Sequence, residues 1–218
     1  MKNTRKNAII TSIAVIFACI GSASAVPTLR ISDGINPDVV ITDNGPGDSQ
    51  GATAGAILWV GSIGSWNLNV DTGLTKPFYT DPPHMDLNYS ASSVGAGMLT
   101  LTFSDDGYNY SGGIIDRFGG TTAGMLTDRV LVNNVVVTSQ GPFGPGAFSA
   151  TTPGMVTLVP TDVLSLEVKI VHTGTGPSTS SGDKELLRFP RVPDGGTTVM
   201  LLGVALSCLG LMRRKLVA

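Results

Sequence analysis

The sequence predicts an all-β protein. A single antiparallel β-sandwich is preceded by an amino-terminal signal peptide and followed by one carboxy-terminal transmembrane helix. Three observations predict this. Short alternations of apolar and polar residues recur through the middle of the chain, separated by Gly, Pro and Asp. No stretch between Val26 and Val192 holds a helical period. Both ends carry uncharged apolar runs bordered by cations.

The amino end has the three regions of a secretory signal. Lys2, Arg5 and Lys6 are basic, Ala8 to Ile20 is apolar and too short to span comfortably, and Ala23-Ser24-Ala25 is an A-x-A site. Cleavage is therefore expected after Ala25, so residues 1–25 are the signal peptide and Val26 is the mature start.

The strands follow in order: "VVIT", "AILWVGSI", "WNLNV", "MDLNYSAS" and then "MLTLTFS". In the last of these Leu99, Leu101 and Phe103 face one way, Thr100 and Thr102 the other. Asp106-Gly107 supplies a turn. "RVLVNNVVVTS" sets two apolar runs either side of Asn133-Asn134, as a tight turn or a bulge. "MVTLV" is next. "VLSLEVKIV" then turns Leu164, Leu166, Val168 and Ile170 inward and Ser165, Glu167 and Lys169 outward, and "LLRF" closes the domain. Prolines and glycines predict loops over 141–154 and 172–183. The exported domain is expected over 26–191, enough chain for one domain with a sizeable core.

The carboxy end, 192–218, has three parts. "VPDGG" comes first, as Val192, Pro193, Asp194, Gly195 and Gly196. Thr197 to Met212 contains no charged residue. Sixteen residues of helix span about 24 Å, against about 30 Å of hydrocarbon, a gap that local thinning can close. Arg213, Arg214 and Lys215 then stop transfer and favour the cytoplasmic face, leaving everything before Thr197 outside.

This order of motif, apolar helix and cations resembles the sorting signals of the PEP-CTERM class, most closely the VPDSG variant, with Gly195 in place of its serine. The resemblance implies an exosortase substrate, an exported protein of a Gram-negative bacterium that makes exopolysaccharide. It implies anchoring in the inner membrane before processing, then a place at the cell surface or in the extracellular matrix. Its partners would be exosortase, the export machinery and exopolysaccharide.

Six of the fourteen Lys and Arg lie in the end segments, whereas all sixteen acids lie between Asp33 and Asp194, so the middle has a net charge near −8. Such a surface repels phosphates and disfavours nucleic acid. Cys19 and Cys208 both sit in the apolar ends. The exported domain thus has no thiol for catalysis or metal binding and no disulfide, and packing must hold it together.

Candidate sites are few. Asp33, Asp38, Asp43 and Asp48 recur every five residues. Asp43, Asn44 and Asp48 could supply oxygens to Ca²⁺, though aspartate also caps turns by bonding nearby backbone. Of the two tryptophans, Trp59 lies in an apolar run and is expected in the core. Trp66 lies near a turn and is the candidate for stacking on a sugar. His84 and His172 are the only histidines, and no motif ties either to a nucleophile. The reading is a non-enzymatic surface or matrix protein with no cofactor. A carbohydrate- or calcium-binding adhesin-like module and a secreted hydrolase are the alternatives.

Overall fold

The computed structural model describes residues 26–189, 200–204 and 206. Twelve strands fill the first span. Those of one sheet are β1 (Thr28–Ser32), β2 (Val39–Thr42), β6 (Gly97–Asp105), β8 (Met125–Val132), β9 (Val135–Phe143) and β11 (Leu164–His172). Those of the other are β3 (Ala56–Ile63), β4 (Trp66–Leu74), β5 (Met85–Ser93), β7 (Tyr110–Thr122), β10 (Gly146–Leu158) and β12 (Ser178–Arg188). Sheet A runs β2-β1-β6-β11-β8-β9 and sheet B runs β10-β7-β12-β5-β4-β3, with every pairing antiparallel. The edge strands β2 and β3 meet on one side and β9 and β10 on the other, while β11 lies over β12.

One apolar core joins the sheets. Leu99, Leu101 and Phe103 of β6 and Leu164, Leu166, Val168 and Ile170 of β11 enter it from sheet A, all fully buried. Leu87, Tyr89 and Phe118 enter from sheet B. The alternation read in β6 and β11 is therefore the inward face. Each such side chain contributes about 1.5–3 kcal/mol relative to exposure. Asn133 and Asn134 have φ of 51° and 66°, and they close the β8–β9 hairpin as a tight turn.

Two segments expected as loops are strands. Residues 141–154 form the end of β9, a two-residue turn at Gly144-Pro145 and most of β10. Pro153 fits because β10 is an edge strand paired only with β7, the kind of strand in which a sheet accepts proline. Residues 172–183 contain only a short connection, because β12 begins at Ser178. Its inward positions there are Ser180 and Gly182, so the alternation carries no apolar signal.

The core also holds charge. Asp116 of β7, Asp128 of β8 and Lys184 of β12 are each fully buried. Lys184 Nζ donates to Asp116 Oδ1 at 2.8 Å and pairs with Asp128 across the sheets. Thr138 of β9 donates to Asp116 Oδ2 at 2.8 Å, and Gln140 Nε2 donates to the Asp116 carbonyl.

The signal peptide with Ala23 and Ala25, the motif Val192–Gly196, and Arg213, Arg214 and Lys215 lie outside the described residues. Of the expected span over 197–212, only 200–204 and 206 are described; they are helical and exposed. Among the described residues no helix is long and apolar enough to cross a membrane.

Candidate functional site

The loop from β2 to β3 carries the acidic residues expected to hold calcium. Asp48 accepts from backbone: Oδ1 from Gln50 N and Leu58 N at 3.0 Å each, Oδ2 from Asn44 N at 2.9 Å. Asp43 is nearly buried, and its Oδ2 accepts from Gly55 N at 2.8 Å. Asn44 sits at φ 56°, a conformation Asn tolerates at turns. These three residues tie the loop to its own backbone, which is the capping use of aspartate. Asp33 does the same, with Oδ1 accepting from Ile35 N and Asn36 N. Among the described residues no group of three or more His, Cys, Asp or Glu could hold a metal ion.

Trp66 does not face solvent. It is 1% exposed at the start of β4, where its ring lies 4.7 Å from that of His172. The turn that precedes it, Gly64-Ser65, is so short that the first residue of β4 already belongs to the inward face. The sugar-stacking expectation at Trp66 is therefore overturned. Trp59, expected in the core, is the less buried of the pair and packs against the core from β3 at the sandwich edge.

The two histidines divide the parts of a hydrolytic triad between them. His172 is bonded to Ser93 Oγ at 2.7 Å and Ser180 Oγ at 2.8 Å. Burial lowers its pKa, which favours the neutral ring. His84 is bonded to Asp81 at 3.1 Å and lies 3.4 Å from Glu185, and its ring stacks on Tyr79 at 3.5 Å. Among the described residues, the histidine with serines thus binds no carboxylate, and the one with carboxylates binds no serine. One G-x-S-x-G spacing, Gly47-Asp48-Ser49-Gln50-Gly51, escaped the sequence reading. It falls in the β2–β3 loop rather than on a strand-to-helix turn, and Ser49 N bonds Leu58 O as part of the loop's fold.

Among the described residues, a cluster of ionisable groups lies on the outer face of sheet B. Cross-strand pairing sets Glu185 of β12 beside Asp86 of β5 and Arg117 of β7. Arg117 reaches Glu185 at 3.6 Å. Burial, and then the neighbouring Asp183 carboxyl, push Asp86 up to about 7. Arg117, Asp183 and Glu185 also border a shallow depression of about 360 Å³, with Ser149 and Thr151. A second depression of about 500 Å³ opens among Asn67, Asn69, Ser90 and Ser92 on the same face. Both lie open on a sheet surface. The face offers hydroxyls, amides and carboxylates to a polar partner, without walls that would enclose a reacting bond. No local pattern marks this cluster, because its ionisable members come from three strands and meet only through register.

No curated protein matches the chain. Three solved structures similar to it have TM-scores below 0.5. TmCBM61 in complex with β-1,4-galactotriose has 8% identity and a TM-score of 0.34, over 59% of this chain and 91% of that one. The β-glucosidase of Kluyveromyces marxianus in complex with glucose has 14% identity and a TM-score of 0.33, and the match covers 78% of this chain but only 16% of the enzyme. The PA14 sugar-binding domain of an RTX adhesin has 13% identity and a TM-score of 0.32, over 76% of this chain and 91% of that one. A family match is confined to the carboxy end, just beyond the last strand: residues 191–216 carry the VPDSG-CTERM motif, a C-terminal sorting signal of the exosortase-substrate type.

Proposed function

We propose that this chain is a non-enzymatic exported protein of the cell surface or extracellular matrix. Residues 1–25 direct export, the sandwich folds outside the cytoplasm, and 192–218 hold it in the inner membrane until exosortase acts on the motif. The observation that carries this reading is the sorting motif at 191–216, starting just after β12 ends at Arg188. The sandwich is consistent with it. Its ionisable side chains serve as loop caps, buried ties and an open polar face suited to an exopolysaccharide matrix.

The test is mass spectrometry of protein released from the surface of the host. The expected product ends at or near Val192–Gly196 and has lost everything from Arg213 onward. A released protein that still carries Arg213 to Ala218 overturns the processing route.

A further inference from the structure

A buried Lys–Asp pair reaching across two sheets is an unusual device for a domain without cysteine. We propose that Lys184 and Asp128 join as an intramolecular amide, a covalent tie between sheet B and sheet A, with Asp116 as the group that moves the protons.

The geometry supplies each part. All three side chains are fully buried, so water neither competes for the amine nor hydrolyses the product. Lys184 stands between the two carboxyls, with its Nζ donating to Asp116 Oδ1 at 2.8 Å and pairing with Asp128 Oδ1. The Phe118 ring, 5.9 Å from Nζ, adds to the apolar setting. The two aspartates differ in a way that assigns their roles. Asp116 accepts from Thr138 Oγ1 and from Lys184 Nζ at 2.8 Å each, so its oxygens are fixed within reach of the Nζ protons. Asp128 has Lys184 as its ion-pair partner and the Asp116 carboxyl beside it. Burial raises its pKa, with Asp116 adding to the rise and Lys184 opposing it, so it tends toward the neutral acid that an amine can attack.

The reaction is a condensation. Asp116 takes one proton from the Lys184 ammonium and leaves a neutral amine. The amine attacks Cγ of protonated Asp128. The tetrahedral carbon then loses its hydroxyl as water, completed by a second N–H proton delivered through Asp116. The Nζ–Cγ bond forms, one Cγ–O bond breaks, and nothing is oxidised or reduced. A neutral amide and a neutral acid replace a buried ion pair, whose desolvation is costly.

The full-length protein, purified folded, is digested with trypsin and read by tandem mass spectrometry. The expected result is one branched peptide joining the Asp128 and Lys184 segments, lighter by one water than its two parts, with no cleavage after Lys184. Asp116→Asn, which keeps the shape of the side chain, should remove the branched peptide and restore cleavage after Lys184. Wild-type digests in which Lys184 is cut freely and both peptides carry their full masses overturn the proposal, whatever the variant does. A branch to Asp116 in place of Asp128 overturns the assignment of roles.

Discussion

At residue 120 the sandwich leaves no room for a methyl group. A Cβ there would sit 2.1 Å from the Ser181 carbonyl oxygen and 2.8 Å from the Gly182 Cα, both backbone of the neighbouring strand. Backbone cannot rotate aside as a side chain can. Gly120→Ala should therefore force β7 and β12 apart and cost on the order of 1–3 kcal/mol. Urea unfolding checks it: the midpoint falls while the slope stays the same. Gly95→Ala is the control, because a Cβ there meets nothing within 4 Å, and it should stay within about 0.5 kcal/mol of wild type. Asp86 gives a second prediction at this scale. Its folded pKa is raised from 3.8 to about 7, chiefly by burial. The folded chain therefore holds a proton that the unfolded chain has released. That contribution to stability is complete below pH 3.8 and is lost as pH rises through about 7. In Asp86→Asn the loss is absent, so melting temperatures measured across this window should fall less steeply with pH than those of wild type. Parallel slopes would remove Asp86 as the cause.

Among the elements, legibility tracked side-chain chemistry. In β6 and β11 the inward residues are Leu, Val, Ile and Phe, so alternation and burial coincide and both strands can be read directly. β7 is as long as any strand in the molecule, yet its inward side mixes Ile114, Asp116, Phe118 and Thr122, and an apolar period does not appear. β12 hides for the same reason, with Ser180, Gly182 and Lys184 facing the core. β10 was masked by Pro153 and its glycines, residues that an edge strand accepts and a central one does not. That placement makes a prediction at this scale. Pro153→Thr returns an N–H to this edge strand, and proline is one of the residues that make an edge a poor template for another chain. Sedimentation velocity at raised concentration should show more self-association in this variant than in wild type. Equal monomer content in the two would mean that Pro153 does not guard the edge.

The whole molecule divides into what order along the chain can encode and what only folding brings together. The motif, apolar run and cations at 192–215 are consecutive, so the sorting signal could be read from spacing alone. The Asp116–Lys184–Asp128 group draws on β7, β12 and β8, and the acidic face of sheet B on strands equally far apart. No local pattern marks either one. Proximity to a turn does not make Trp66 exposed, because the tight β3–β4 turn sends it straight inward. β12, the last strand before the carboxy-terminal segment, is not at an edge but lies hydrogen-bonded between β7 and β5. Phe189 extends this hold, with its N–H bonded to the Gly113 carbonyl at 2.9 Å. A pull applied to the chain beyond Phe189 would therefore arrive at the middle of a sheet. Two ladders must slide in shear together, instead of opening one bond at a time like a zip. A module anchored as proposed would be loaded in that direction.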